Sequence, residues 1–137
     1  MKIIDKINLC TSEGRYFYSF EFFPPKTDIG VENLYDRLER MANFSPLFVD
    51  VTWGAGGSTS NLTIDIATTA TNLVGLEAMV HMTCTNVKEE DIRSHLQRTR
   101  DNGIQNILAL RGGKQASSQK KKISKFFYFF PTQFKPN

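Results

Sequence analysis

Hydrophobic residues over the first 112 positions alternate between two spacings along the chain. Short runs dense in aliphatic and aromatic residues predict four strands. The predicted strands are residues 16–23, 47–53, 77–84 and 106–110. Between them, apolar residues recur at helical spacing and predict helices over 31–42, from about Ser60 onward, and between a cap at Asn86 and Gly103. The order βαβαβαβ, with repeats of roughly 30 residues, is typical of strand–helix units in a parallel sheet.

Polar residues interrupt the apolar strands in a regular way. Because side chains alternate between the faces of a strand, one face is predicted to be apolar and able to receive helices. That face would hold Phe20, Phe22, Val49, Val51, Val80, Met82, Leu108 and Leu110. The opposite face would hold Ser19, Glu21, Asp50, Thr52, His81, Thr83, Ala109 and Arg111.

This polar face favours an α/β fold of the (β/α)8 barrel type, in which active sites lie at the carboxyl ends of parallel strands. The alternative is a doubly wound sheet. Both faces of such a sheet meet helices, however, so it gives no reason for four strands to carry polar groups on one side. Four β/α units amount to half of a complete barrel.

Glu21 is the strongest catalytic candidate on local grounds. A carboxylate among Phe20, Phe22 and Phe23 is predicted to lose hydration, which raises its pKa and suits it to general acid chemistry. The alternative is a glutamate at a strand end that is exposed to water or paired with Arg111.

Four other features each have both a functional and a purely structural interpretation. The run 54–59, rich in glycine, suits either a phosphate contact or a tight turn between strand and helix. His81 suits a cofactor contact or a structural hydrogen bond, and with no second histidine at metal-ligand spacing we expect no metal site. Arg111 suits an anionic ligand or the surface. Trp53 suits ring stacking or packing.

Charge is divided unevenly along the chain. Six of the 17 basic residues follow Gly113, where no acidic residue occurs, so residues 1–113 carry 11 basic and 14 acidic side chains. The folded part therefore gives no electrostatic case for nucleic acid. Two cysteines are too few for a disulfide framework. With neither a signal-peptide core nor an apolar span in view, we expect a cytoplasmic protein without membrane contact.

Four segments, taken in order, resemble the methylenetetrahydrofolate reductase family in its eukaryotic form. They are residues 19–26 (SFEFFPPK), 50–58 (DVTWGAGGS), 81–85 (HMTCT) and 106–112 (NILALRG). The resemblance covers residues 1–112 and implies the N-terminal half of that family's catalytic barrel. It implies FAD as cofactor, NADPH or NADH as reductant, and 5,10-methylenetetrahydrofolate as the substrate reduced to 5-methyltetrahydrofolate. It also implies the homo-oligomeric state usual in that family.

The resemblance also assigns residues. Glu21 matches the family's general acid. The positions matching the nicotinamide nucleotide contacts are Glu21, Phe22, Phe23, Pro24, Pro25 and Lys26. The positions matching flavin contacts are Thr52, Trp53, His81, Arg111 and Gly112.

The sequence departs from the family pattern at position 113, where Gly113 replaces an aspartate that follows the fourth strand in relatives. We expect residues 113–137 to be a basic and aromatic tail, either disordered or translated from an intron. We also expect these 137 residues not to hold FAD stably and not to catalyse the reaction by themselves. The alternative function is that of a catalytically inactive fragment, either inert or paired with an intact subunit.

Overall fold

The computed structural model describes residues 2–54 and 57–110. These residues form four helices and four strands in alternation. In chain order they are α1 (Ile3–Ser12), β1 (Ser19–Phe22), α2 (Asp28–Ala42), β2 (Phe48–Val51), α3 (Ser60–Asn72), β3 (Ala78–Thr83), α4 (Glu89–Asp101) and β4 (Asn106–Leu110). The predicted βαβαβαβ order is confirmed from β1 onward.

The four strands form one parallel sheet in the order β1-β2-β3-β4. Each crossover therefore advances to the next position in the same direction. Since such crossovers are right-handed, they carry their helices to the same face of the sheet. A doubly wound sheet instead reverses its strand order part-way. The sequential order confirms the first β/α units of a (β/α)8 barrel.

The hydrophobic core lies between one face of the sheet and the helices that cover it. From the sheet it takes in Phe22, Val49, Val51, Ala78 and Val80, which are fully or almost fully buried. The helices contribute Leu34, Leu38, Ile64, Ile66, Ala67 and Ala70. The predicted apolar face is therefore confirmed for β1, β2 and β3.

The face assignment predicted for β4 is wrong. In the register of β3 with β4, His81 pairs with Leu108, Met82 with Ala109 and Thr83 with Leu110. Leu108 and Leu110 therefore share the face of His81, whereas Ala109 shares the face of Met82. Ile107 packs against the core, and this contact determines which residues of β4 face the helices. The predicted place of Arg111 beside Ala109 lies outside the described residues.

Helix α1 is absent from the predicted order. It packs at the amino-terminal end of the strands, where the backbone N–H of Ile3 donates to Oδ1 of Asn106 at 2.9 Å. Lys6 and Glu77 form an ion pair there at 3.3 Å. Ile3 and Cys10 are buried and Ile7 is half-buried, so α1 carries a short apolar stripe at helical spacing that the prediction did not use.

The observed helix ends confirm some of the capping residues predicted from the sequence and contradict others. Thr27 caps α2 by accepting the backbone N–H of Gly30 at 3.1 Å, which starts this helix earlier than predicted. The cap predicted at Asn86 is wrong, because α4 is capped at Lys88 and Asn86 has a φ of 60°. Gly103 follows α4 with a φ of 77°, as predicted for a glycine that ends a helix.

Candidate active site

Three polar side chains meet on the sheet face that the described helices α2 and α3 leave uncovered. Glu21 and Asp50 are register partners on β1 and β2, and His81 lies on β3. Nε2 of His81 is 3.2 Å from Oδ1 of Asp50, and Nδ1 of the same ring is 3.8 Å from Oε1 of Glu21. One imidazole therefore stands between two carboxyl groups that come from neighbouring strands.

Asp50 is the acid whose ionisation this environment alters. Its side chain is 11% exposed, and burial raises the pKa of Asp50 above its ordinary value. The hydrogen bond from His81 and the charge of that ring act in the opposite direction, and the charge of Glu21 adds to the effect of burial. A hydrogen bond with Ser19 also lowers the pKa of Asp50. The Asp50 carboxyl is therefore easier to protonate than an ordinary aspartate, because its raised pKa reflects burial first.

Glu21 is less buried than its aromatic neighbours led us to expect. Its side chain is 51% exposed. Phe20 and Phe22 point to the opposite face of β1, and Phe23 is itself 70% exposed. The premise that phenylalanine rings desolvate Glu21 is therefore wrong for the described residues. Its catalytic role stays a prediction, now supported by the contact with His81 instead of by burial.

The turn after β2 is held by its own hydroxyl groups. Oγ1 of Thr59 accepts the backbone N–H of Gly54 at 2.7 Å, and Oγ1 of Thr63 donates to the carbonyl of Thr52 at 2.9 Å. A Cβ at Gly54 would lie 2.5 Å from the hydroxyl of Ser58, so a side chain does not fit there. These contacts support the tight-turn alternative for the described part of 54–59, and residues 55 and 56 lie outside it.

Trp53 faces away from the carboxyl groups. Its ring meets His95 of α4 edge-on, with centroids 5.3 Å apart and an interplanar angle of 81°. The indole Nε1 is buried, and it has no hydrogen-bond partner among the described residues. Burial lowers the pKa of His95. The ring contact with His95 is a packing contact between the residue after β2 and α4, and the predicted flavin contact of Trp53 stays a prediction.

The remaining predicted residues are spread around the end of β1 and the end of β2. Phe22 is buried in the core, Lys26 is exposed, and Pro24 and Pro25 are half-buried between them. Thr52 follows β2, and its backbone N–H donates to the carbonyl of Phe22 at 2.9 Å. Arg111 and Gly112 lie outside the described residues.

Asp50 is the site residue that the sequence did not single out. It was predicted only as one of several polar residues on this face. The signal was present, because Asp50 is the sole charged residue within an apolar strand, Phe48–Val51. A charged residue inside a buried strand requires a partner or a function. Only the register of three strands reveals that this partner is His81.

Neither a membrane helix nor a metal cluster is found in the part of the chain that the structure describes. Across residues 2–54 and 57–110, none of the helices is long and apolar enough to cross a bilayer. Over the same ranges, no three His, Cys, Asp or Glu side chains are grouped closely enough to hold a metal ion. On the described face, the side chains brought within 4 Å of one another are Glu21, Asp50 and His81.

Sequential parallel strands with polar residues on the uncovered face define the class of this fold, the first β/α units of a (β/α)8 barrel. The family model described as methylenetetrahydrofolate reductase matches residues 6–130. The chain belongs to the methylenetetrahydrofolate reductase family.

Individual relatives agree with that family. The chain is 54% identical over 112 residues to methylenetetrahydrofolate reductase (NADH) 1 of Arabidopsis thaliana, covering 82% of this chain and 19% of the relative. It is 48% identical over 113 residues to methylenetetrahydrofolate reductase 1 of Schizosaccharomyces pombe, with the same two coverages of 82% and 19%. It is 35% identical over 113 residues to a probable methylenetetrahydrofolate reductase (NADPH) of Caenorhabditis elegans, covering 79% of the chain and 17% of that relative. The chain thus spans about a fifth of the length of these relatives.

Proposed function

We propose that this chain supplies the first four β/α units of an enzyme that reduces 5,10-methylenetetrahydrofolate to 5-methyltetrahydrofolate with FAD and a nicotinamide nucleotide. The observation that carries the proposal is the Glu21–His81–Asp50 cluster in a chain of this family. The names of the relatives include both NADH and NADPH, so either nucleotide is a candidate reductant. We further propose a cytoplasmic location and a homo-oligomeric state.

The described residues fit a flavin in part. His81 and Glu21 lie on a sheet face that the described helices α2 and α3 do not cover, and Thr52 follows the end of β2 beside them. We propose that Thr52, Trp53 and His81 contact FAD, together with Arg111 and Gly112, which lie outside the described residues. Trp53 also packs against His95 of α4. FAD held by these residues would supply hydride-transfer chemistry between the nicotinamide nucleotide and the folate.

Glu21 is proposed as the proton donor to the folate. Opening the five-membered ring of 5,10-methylenetetrahydrofolate requires a proton on the departing nitrogen, which a carboxylic acid supplies. The half-exposed Glu21 side chain reaches the uncovered side of the sheet, where a substrate has access to it. The segment from Glu21 to Lys26 is proposed to contact the nicotinamide nucleotide before the folate binds.

These 137 residues are proposed not to retain FAD without the rest of the barrel. Leu108 and Leu110 are 39% and 38% exposed on the face that a closed barrel would fill with side chains. Within the described residues, β1 and β4 each pair with a single neighbouring strand. At about 25 cal/mol per Å², several hundred Å² of uncovered apolar surface would forfeit on the order of 10 kcal/mol.

The test is fragment complementation. The chain is incubated with FAD and desalted, alone and together with the part of the Arabidopsis relative that follows its matched 112 residues. We expect the flavin band near about 450 nm only in the complemented assembly, with folate-dependent oxidation of NADH. A colourless complemented assembly would count against the proposed function. A flavin retained by the chain alone would overturn the requirement for the remaining strands.

A second candidate function is pairing with an intact subunit without catalysis. It is favoured by the two outer strands, whose backbone groups offer pairing positions within the described sheet. Co-purification of the chain with a tagged full-length relative, in the absence of complementing activity, would support this function over the first.

A further inference from the structure

Asp50 is a buried acid to which the family resemblance gives no role. Its side chain is 11% exposed, on a face that the described helices α2 and α3 do not cover. Burial of a carboxyl group costs free energy unless the group is paired. The partner is Nε2 of His81 at 3.2 Å, within hydrogen-bond distance. This pairing determines how the imidazole is presented to the other acid.

A neutral imidazole carries one N–H, and its position is set by the hydrogen bond that each nitrogen makes. An ionised Asp50 only accepts hydrogen bonds, so it requires the N–H at Nε2 of His81. Nδ1 then carries a lone pair. That nitrogen lies on the Glu21 side of the ring, 3.8 Å from Oε1.

The distance between Nδ1 of His81 and Oε1 of Glu21 is too long for a hydrogen bond, but a rotation of the Glu21 side chain that moved Oε1 closer by less than about 1 Å would close it. Glu21 has room for that rotation because its side chain is half exposed. A lone pair at Nδ1 accepts the O–H of a protonated Glu21 carboxyl. An N–H at the same nitrogen would instead bind the ionised carboxylate. The tautomer of His81 thus selects which form of Glu21 it holds.

We propose that Asp50 is a positioning residue, which holds His81 in the Nε2–H tautomer so that Nδ1 accepts a hydrogen bond from the protonated carboxyl of Glu21. Glu21 acts as a proton donor only in that protonated form. The last step rests on the proposed function, whereas the tautomer is a property of the chain itself. The two are therefore tested by separate measurements.

The first measurement is the nitrogen-15 spectrum of the two histidines, with long-range correlation to the ring protons, at about pH 9, where an ordinary imidazole is neutral. The variant His95→Gln assigns the signals. We expect His81 to show the pattern of an Nε2–H imidazole. Glu21→Gln should keep that pattern, whereas Asp50→Val should lose it because the acceptor at Nε2 is gone.

Either of two results overturns the proposal. One is an Nδ1–H pattern for His81 in the unmodified chain, which decides the matter even if Asp50→Val does not fold. The other is the same His81 pattern in the unmodified chain and in Asp50→Val. Ser19→Ala is the matched control, since Ser19 bonds to Asp50 without being assigned a contact to His81, and it should leave the pattern unchanged.

The second measurement is made in the flavin-loaded complemented assembly. We expect Asp50→Val to slow hydride transfer to the folate about tenfold and to slow reduction of the flavin by NADH much less. Equal slowing of both half-reactions would overturn the link to Glu21. An unmodified assembly without any reductase activity would refute the proposed function, while the tautomer result would stand.

Discussion

The two ends of the sheet both bury polar side chains, but they balance charge differently. At the amino-terminal end, Glu77 pairs with Lys6 at 3.3 Å and accepts from Asn106 at 2.9 Å, and Asn106 in turn accepts the backbone N–H of Ile3. Nearer the carboxyl-terminal end, two carboxyl groups share one histidine. The first end is neutral and its hydrogen bonds are complementary. The second has an excess of acid.

This difference separates stability from reactivity within one sheet. A polar network in which every described group has a complementary partner stabilises the fold and fixes the position of α1. A site in which two acids compete for the protons of one ring stabilises the fold less and leaves a proton available for chemistry. Barrel enzymes generally divide their two ends in this way.

The largest expected effect is on catalysis at the acidic end. Glu21→Gln in the complemented assembly should slow folate reduction by about 10²–10⁴-fold, because the amide cannot donate the required proton. Reduction of the flavin by NADH should change much less. Stopped-flow absorbance of each half-reaction measures both. Glu32→Gln, on the exposed side of α2, is the control and should leave both rates unchanged. Equal loss in the two half-reactions would argue for a binding role for Glu21.

The neutral end should respond through stability instead. Asn106→Ala removes the acceptor of the Ile3 N–H and the donor to Glu77, so the free energy of unfolding should fall by about 2–3 kcal/mol. Urea denaturation followed by circular dichroism measures it. Asn61→Ala removes an exposed contact with Arg98 and should cost less than about 0.5 kcal/mol. Similar losses in the two variants would mean that α1 is not anchored through Asn106.

Asp50→Asn should stabilise the chain near neutral pH, in contrast to Asn106→Ala. Burial raises the pKa of Asp50 above its unfolded value, so the folded chain binds this proton more tightly. The stability contributed by Asp50 is present below about pH 4 and is lost as pH rises through the raised pKa. The free energy of unfolding, measured in urea at about pH 4 and about pH 7, should differ less between the two pH values in Asp50→Asn than in the unmodified chain. If Asp50→Asn instead lowered the free energy of unfolding at pH 7, Asp50 would stabilise the fold as Asn106 does at the other end of the sheet.

The smallest effects are opposite shifts in the titration of Asp50, followed by carbon-13 chemical shift. His81→Gln should raise the pKa of Asp50, because it removes the ring whose hydrogen bond and charge lower it. Glu21→Gln should lower the pKa of Asp50, because it removes a neighbouring negative charge. If both variants shifted the pKa of Asp50 in the same direction, that result would contradict the position of His81 between Glu21 and Asp50.

Prediction from the sequence succeeded where the signal was local and periodic. The apolar runs of the strands and the stripes of α2 and α3 identified the elements, and Gly103 identified the end of α4. It failed where the structure is determined by contacts between residues that are distant in the sequence. Helix α1 depends on Asn106, which lies 103 residues away from Ile3.

The same limit applies to the candidate site. Glu21 and His81 were predicted from the polar residues of the strands and from family motifs, but neither the burial of Asp50 nor its pairing with His81 can be read from β2 alone. The prediction placed Leu108 and Leu110 of β4 on the apolar face, whereas the packing of Ile107 against the core puts them on the opposite face. Register across three strands is a property of the folded sheet, so residues 31 positions apart reveal their pairing only there.

The edge-on contact of Trp53 with His95 gives the chain an optical reporter of its own. Trp53 is the single tryptophan in the sequence, so its emission reports on the junction between β2 and α4. A protonated imidazole quenches an adjacent indole by accepting an electron from its excited state. Because burial lowers the pKa of His95, this quenching should begin in the folded chain at a lower pH than that at which an ordinary imidazole is protonated, and it should be lost in urea with the contact itself. Docking of α4 can thus be followed in real time without a label.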